Sequence, residues 1–355
     1  MMNRTKRMLS HRLKRQASIV PICVALFFTG THVQAQAVNP NTVFDYSGFT
    51  EAQKIKALIE QPENSIDFAK AKLEIDKIID PSINVDENIK KLDAIVTAIN
   101  RMLPSGSSSS DKMQALKKYL YEPGAWNNYQ AYQYDFNDPM GTKIANKLLP
   151  TYLATQKGNC ISMPFLFIVL GQRLGIDVTA SPAPSHVFVK YTDSVTGITY
   201  NLETTSGANP SRNAWYQETM KVTDAAIKNG IYLSKLSKQE TLAVMATELA
   251  EHYFGQQEYE KAMMISDVIL KYYNRDVDVM IMKGSLFYKL LYKHYVNKYP
   301  RPNLIPVDER PYYEFLSINN LHWFQKAESL GWRQPTQEEE TKYLDMMKNN
   351  TVKVN

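Results

Sequence analysis

The sequence predicts an α+β fold in which one central helix packs on a small antiparallel sheet, flanked by helical regions and ending in an all-α repeat. Three observations predict it. Residues Ile161 to Leu174 are apolar on nearly every side and read as a helix buried all round. Two short β-rich runs, Val187 to Tyr191 and Ile198 to Glu203, follow across the turn-forming Thr192 to Gly197 and read as a hairpin. Before and after this block, apolar residues recur at spacings of three and four, the period of amphipathic helices.

The first 37 residues stand apart from the fold. Arg4, Lys6, Arg7, Arg12, Lys14 and Arg15 form a basic start, Ala17 to Thr31 an apolar run broken by Pro21, and Ala35 and Ala37 offer small-residue cleavage positions. This is the pattern of an export signal, residues 1–37, with an uncleaved membrane anchor as the alternative; the run falls short of the ~20 apolar residues that span a bilayer. The expected location is therefore periplasmic or secreted, with a membrane as partner only if the segment stays attached. Of 41 basic and 36 acidic residues in the chain, six basic and no acidic ones leave with it. The remainder is near neutral, so composition gives no case for a nucleic-acid partner.

Residues 38–110 form an expected N-terminal helical region. Thr50 and Gln53 have the spacing of a capping box ahead of Ile55, Leu58 and Ile59, and Ser65 to Ile79 continues in helix formers until Pro81. Ile89, Leu92, Ile95, Val96, Ile99 and Leu103 then make one apolar stripe, and Pro104 to Ser110 reads as a loop.

Residues 111–233 form the central region. Met113, Leu116, Tyr119 and Leu120 open it as a helix, and Glu122 to Pro139, rich in Tyr, Asn, Asp and Gly, reads as a loop lining either a groove or plain surface. The helix from Ile161 tolerates Pro164 in its first turn and stops at Gly175. The stiff run Ser181 to Ser185 leads into the hairpin. From Ser237 onward, in a region spanning 234–355, Leu242 to Phe254, Tyr259 to Tyr272 and Val279 to His294 alternate as helices. Gly255, Tyr259 to Ala262 and Gly284 resemble a tetratricopeptide repeat, a possible surface for a protein partner.

Cysteine usage points to chemistry. Cys23 lies in the export segment, which leaves Cys160 without a disulfide partner, as either an inert core thiol or a nucleophile. Cys160 follows Gly158 and Asn159 at the start of the central helix, where the positive helix end and free N–H groups favour a thiolate and an oxyanion. His186 is the only histidine between Ala37 and Glu251. A turn centred between Ser194 and Val195 sets it directly opposite Glu203, on one face of the hairpin. His252, His294 and His322 lack ligand spacing, so neither a metal nor a cofactor is expected.

The runs Lys157 to Met163 (KGNCISM), Arg173 to Gly175 (RLG), Pro184 to Tyr191 (PSHVFVKY) and Asn201 to Gly207 (NLETTSG) resemble the transglutaminase-like superfamily, and among its members the bacterial branch with N-terminal helices and a C-terminal repeat. The resemblance implies a papain-like core and a Cys, His, Asp triad. Cys160 would be nucleophile and His186 general base and acid. Glu203 stands where the superfamily has Asp, with Asn159 and Asn201 as further oxyanion or orienting groups. It implies a cysteine hydrolase or acyl-transferase acting on a protein or peptide substrate, or, where relatives have lost catalysis, a binding scaffold.

Overall fold

The computed structural model describes residues 48–339, 341, 342 and 345; the expected export segment lies outside them. The N-terminal helices are α1 (Thr50–Ile59), α2 (Phe68–Ile79) and α3 (Val85–Arg101). The expected capping box at Thr50 does not form, because the helix already begins at Thr50, after Phe49, whose side chain has no oxygen to cap with. The first true side-chain cap is Asp67, which accepts from Lys70 N and starts α2 three residues later than the composition suggests. In α3 the predicted stripe is present, with Leu92, Ile95 and Ile99 buried.

The loop from Pro104 ends at Ser108, which caps α4 (Ser109–Tyr121) in a capping box with Asp111. A two-residue parallel pair, β1 (Gln133–Tyr134) and β2 (Lys157–Gly158), ties the aromatic loop to the run preceding Cys160. Between them lies α5 (Leu149–Thr155). The central helix is α6 (Ser162–Arg173), with every residue from Ser162 to Gly171 buried, and Gly175 (φ 73°) ends it in the left-handed region that favours glycine.

The sheet has four antiparallel strands in sequential order: β3 (Asp177–Ala183), β4 (His186–Thr192), β5 (Thr199–Glu203) and β6 (Asn209–Ser211). The sequence shows β4 and β5 but hides β3 behind Pro182. Proline is tolerated there because β3 is an edge strand whose outer side is met by loop backbone: Leu233 N donates to Pro182 O and Leu236 N to Ala180 O. β3 and β4 are joined by Pro184 and Ser185, the latter left-handed at φ 54°.

The β4–β5 register differs from the expected one by two residues. Val189 faces Leu202 and Tyr191 faces Tyr200; extended past that last pair, the register sets Glu203 diagonal to His186 and not directly opposite it. The turn is responsible: Asp193 Oδ1 accepts from Val195 N and Thr196 N, and Gly197 N bonds to Asp193 O, which centres the turn one residue later. A shift of two preserves the face on which each side chain stands, where a shift of one would have reversed it.

After α7 (Asn213–Met220) and α8 (Asp224–Lys228), the chain ends in α9 (Lys238–Gly255), α10 (Tyr259–Tyr272), α11 (Val277–Leu291) and α12 (Arg310–Ser329). One apolar core joins all regions, from Phe49 to Ala327. Lys72 of α2, fully buried, pairs with Asp76 and with Glu248 of α9 (2.8 Å), while Asp76 also accepts from Leu149 N (2.8 Å). Among the described residues no helix is long and apolar enough to cross a membrane.

Candidate active site

Cys160 sits two residues before α6, and its position is set from both sides. Asn159 Oδ1 accepts from Ile161 N (3.0 Å) and Ser162 N (3.1 Å), capping the helix start, while Asn159 Nδ2 donates to Asn146 O (3.0 Å). Asn159 is thus placed as a structural cap, and two of the amides expected for an oxyanion are already engaged by it. Upstream, Gly158 is pressed by Tyr152 and Met163, whose atoms would lie 2.6 and 2.7 Å from a Cβ there. Any larger residue would fit only if these side chains shifted.

The structure brings Cys160, His186 and Glu203 together. His186 opens β4, its Nε2 lies 2.8 Å from Glu203 Oε2, and the Cys160 side chain hydrogen-bonds the ring. With Glu203 on Nε2, Nδ1 is the nitrogen left for the thiol. Cys160 Sγ also lies 4.0 Å from Ser185 O. All three residues are buried, Cys160 and His186 at 1% and 2% exposure.

Electrostatics make the ring a cation. Burial by itself pulls the His186 pKa down, but the Glu203 carboxylate and the Cys160 contact outweigh it and push it to about 10. Glu203 responds in the opposite sense: burial raises its pKa, while His186 and the Thr205 donors bring it below its ordinary value. Its Oε1 accepts from Thr205 Oγ1 (2.6 Å) and Thr205 N (3.2 Å), and Tyr216 OH donates to Oε2 (3.3 Å).

The extra methylene of Glu is suited to this register. Diagonal neighbours in a sheet lie about 7–8 Å apart, and the longer arm spans that offset to reach the ring. Asn201 stands elsewhere: its Oδ1 accepts from Lys190 Nζ (2.6 Å) and its Nδ2 donates to Ser211 O and Asn213 Oδ1, so its amide is engaged by groups other than the ring.

Two further residues border the site. Tyr134 donates to Pro139 O (2.5 Å); burial, then the Cys160 and Glu203 charges, raise its pKa and keep the phenol protonated. Lys147 pairs with Glu251, and burial, which lowers its pKa, is outweighed by Glu251, Glu248 and Cys160, so it stays charged. Gly141 packs against both Lys147 and Asn159, with a Cβ there 3.1 Å from Lys147 Cε and 2.9 Å from Asn159 Nδ2. The aromatic loop announced Tyr134 by composition; Thr205, Tyr216 and Lys147 carried no comparable signal. Among the described residues no group of three or more His, Cys, Asp or Glu side chains is arranged to hold a metal ion.

The match to a family model, the transglutaminase-like superfamily, covers residues 86–247, from within α3 to within α9. No curated protein and no solved structure matches the chain. The matched stretch contains the Cys160 loop, the central helix and the whole four-stranded sheet. Residues 86–247 are a domain of the transglutaminase-like superfamily.

Proposed function

We propose that this protein is an exported cysteine-nucleophile hydrolase or acyl-transferase that acts on amide or isopeptide bonds of a protein or peptide. The observation that carries the reading is the buried His186 ring, held by Glu203 at 2.8 Å, with the Glu203 charge and the Cys160 contact raising its pKa. An imidazolium beside sulfur stabilises a thiolate, and the positive end of α6 adds to it.

In this reading Sγ attacks the carbonyl carbon and the oxyanion meets the Cys160 N–H, since the Ile161 and Ser162 amides are engaged by Asn159. The C–N bond breaks as His186 gives its proton to the leaving nitrogen, and a thioester remains. Water or an amine then attacks the thioester, loses its proton to His186 and regenerates the thiolate. Residues 1–37 would direct export, and the helices after Ser237 would present the protein substrate as a tetratricopeptide-like surface.

The burial of sulfur and ring favours a second reading, a non-catalytic scaffold that keeps the fold and uses its helical surface. Exposure of the full chain to iodoacetamide and to p-nitrophenyl acetate, followed by peptide mass analysis, separates the two. Catalysis requires adducts at Cys160 whose rate falls on the order of 10²-fold in His186→Ala, the scale of a lost acid–base group. An inert Cys160, or labelling indifferent to His186, sinks the enzyme and leaves the scaffold.

A further inference from the structure

The third member of the site is held by more than its pairing with the ring. A carboxylate has room for about four hydrogen bonds, and Glu203 accepts four: Thr205 N and Thr205 Oγ1 on Oε1, His186 Nε2 and Tyr216 OH on Oε2. Glutamate carries one more torsion than aspartate, so without such anchors its carboxylate could swing away from the ring.

The two anchors differ in kind. Thr205 is two residues away on the same chain and grips the oxygen that the ring does not use, fixing the carboxylate plane. Tyr216 comes from α7, and its ring is stacked on Phe188 at 4.4 Å with an interplanar angle of 23°. Trp215 meets it edge-on at 4.8 Å. Phe188 and Glu203 each stand one residue beyond the last β4–β5 pair, Val189 with Leu202, so the stack holds the phenol beside Oε2. Burial, then the Glu203 charge, raise the Tyr216 pKa, so the hydroxyl remains a donor.

We propose that Thr205 and Tyr216 are positioning residues for His186, acting through Glu203. Thr205 sets the direction of the carboxylate, and Tyr216 draws on the same oxygen that charges the ring, limiting how tightly the imidazolium is held. The proposal rests on the catalytic reading of Cys160 and His186 but is tested apart from it.

The test is a titration of the His186 ring by ¹⁵N NMR in the full chain, with iodoacetamide labelling of Cys160 as a parallel readout. Tyr216→Phe keeps the stack and removes the donor alone; the His186 midpoint should rise by about half a pH unit or more, each unit being tenfold in proton affinity. Thr205→Val keeps the shape and the backbone donor but removes the shorter of the two hydrogen bonds on Oε1; the midpoint should fall toward the unperturbed value, labelling should slow several-fold, and Thr205→Ser should restore both. Opposite signs for the two variants are the result that a packing role would not give. Midpoints that both fall, or that stay at the wild-type value, overturn the proposal. If wild-type Cys160 is not labelled at all, the catalytic reading fails, and the titration still decides the role of Thr205 and Tyr216.

Discussion

Shortening Glu203 to Asp draws its carboxylate back by about 1.5 Å, one C–C bond, across a diagonal that the longer side chain only just spans. Glu203→Asp should therefore part the acid from His186 and slow Cys160 labelling, although it restores the residue type that the superfamily uses. Glu203→Gln keeps the length and removes the charge; burial is then opposed by the Cys160 contact alone, and the His186 pKa should fall from about 10, read by the same ring titration. The pair also writes a pH signature into stability. His186 binds its proton more tightly folded than unfolded, so its contribution is complete below about 6.5 and lost as pH rises through about 10. Glu203 is depressed, so its contribution is present above about 4.5 and lost as pH falls through its lowered value. Urea unfolding of wild type and His186→Ala across pH should show their difference shrinking at both ends; a difference independent of pH would contradict the ion pair. Cys160, His186 and Glu203 were legible in the sequence because Cys and His are scarce and the carboxylate kept the right parity. Thr205 and Tyr216 were not, because hydroxyl-bearing residues are common here and Tyr216 reaches Glu203 from another element.

Elements position these residues through close approaches that leave little room for change. Gly158→Ala would set a methyl within 2.6 Å of Tyr152 and 2.7 Å of Met163, immediately before the Asn159 cap. The expected cost is about 1–3 kcal/mol by overpacking, read as a shift in urea midpoint at constant slope, with Cys160 labelling displaced as well. A midpoint equal to wild type would mean that the Tyr152 ring yields. The helices and the β4–β5 hairpin could be read from periodicity because their faces are apolar in the ordinary way. β3 could not, because Ser181, Pro182 and Pro184 look like loop, and only a tertiary fact makes Pro182 acceptable: that strand lies at the sheet edge. The register error has an equally local origin, the Asp193 side chain folding the turn onto Thr196. Such a preference is set by one hydrogen-bonding side chain and leaves no periodic trace.

The N-terminal and C-terminal helices meet through buried charge, which periodicity does not reveal. Lys72 stands between Asp76 and Glu248, and Glu248 Oε1 finds no partner among the described residues. Lys72→Ala would leave two buried carboxylates without their cation and should cost about 3–5 kcal/mol in a thermal or urea melt. Replacing the trio together by Met, Asn and Gln should recover most of that loss; a single variant as stable as wild type would show the cluster to be solvated. Burial, with the Asp76 charge and against the pull of Lys72, pushes the Glu248 pKa up to about 7. Its contribution is therefore complete below about 4.5 and lost as pH rises through about 7. Glu248→Gln should be more stable than wild type at pH 8 and lose that advantage at pH 5. The sheet has a consequence at this scale too. One edge is occupied by the backbone of Leu233 and Leu236, and the other is the three-residue β6, in which Pro210 has no N–H to offer. Within this four-stranded sheet neither border is a long free template for another extended chain, the feature through which β-rich proteins aggregate.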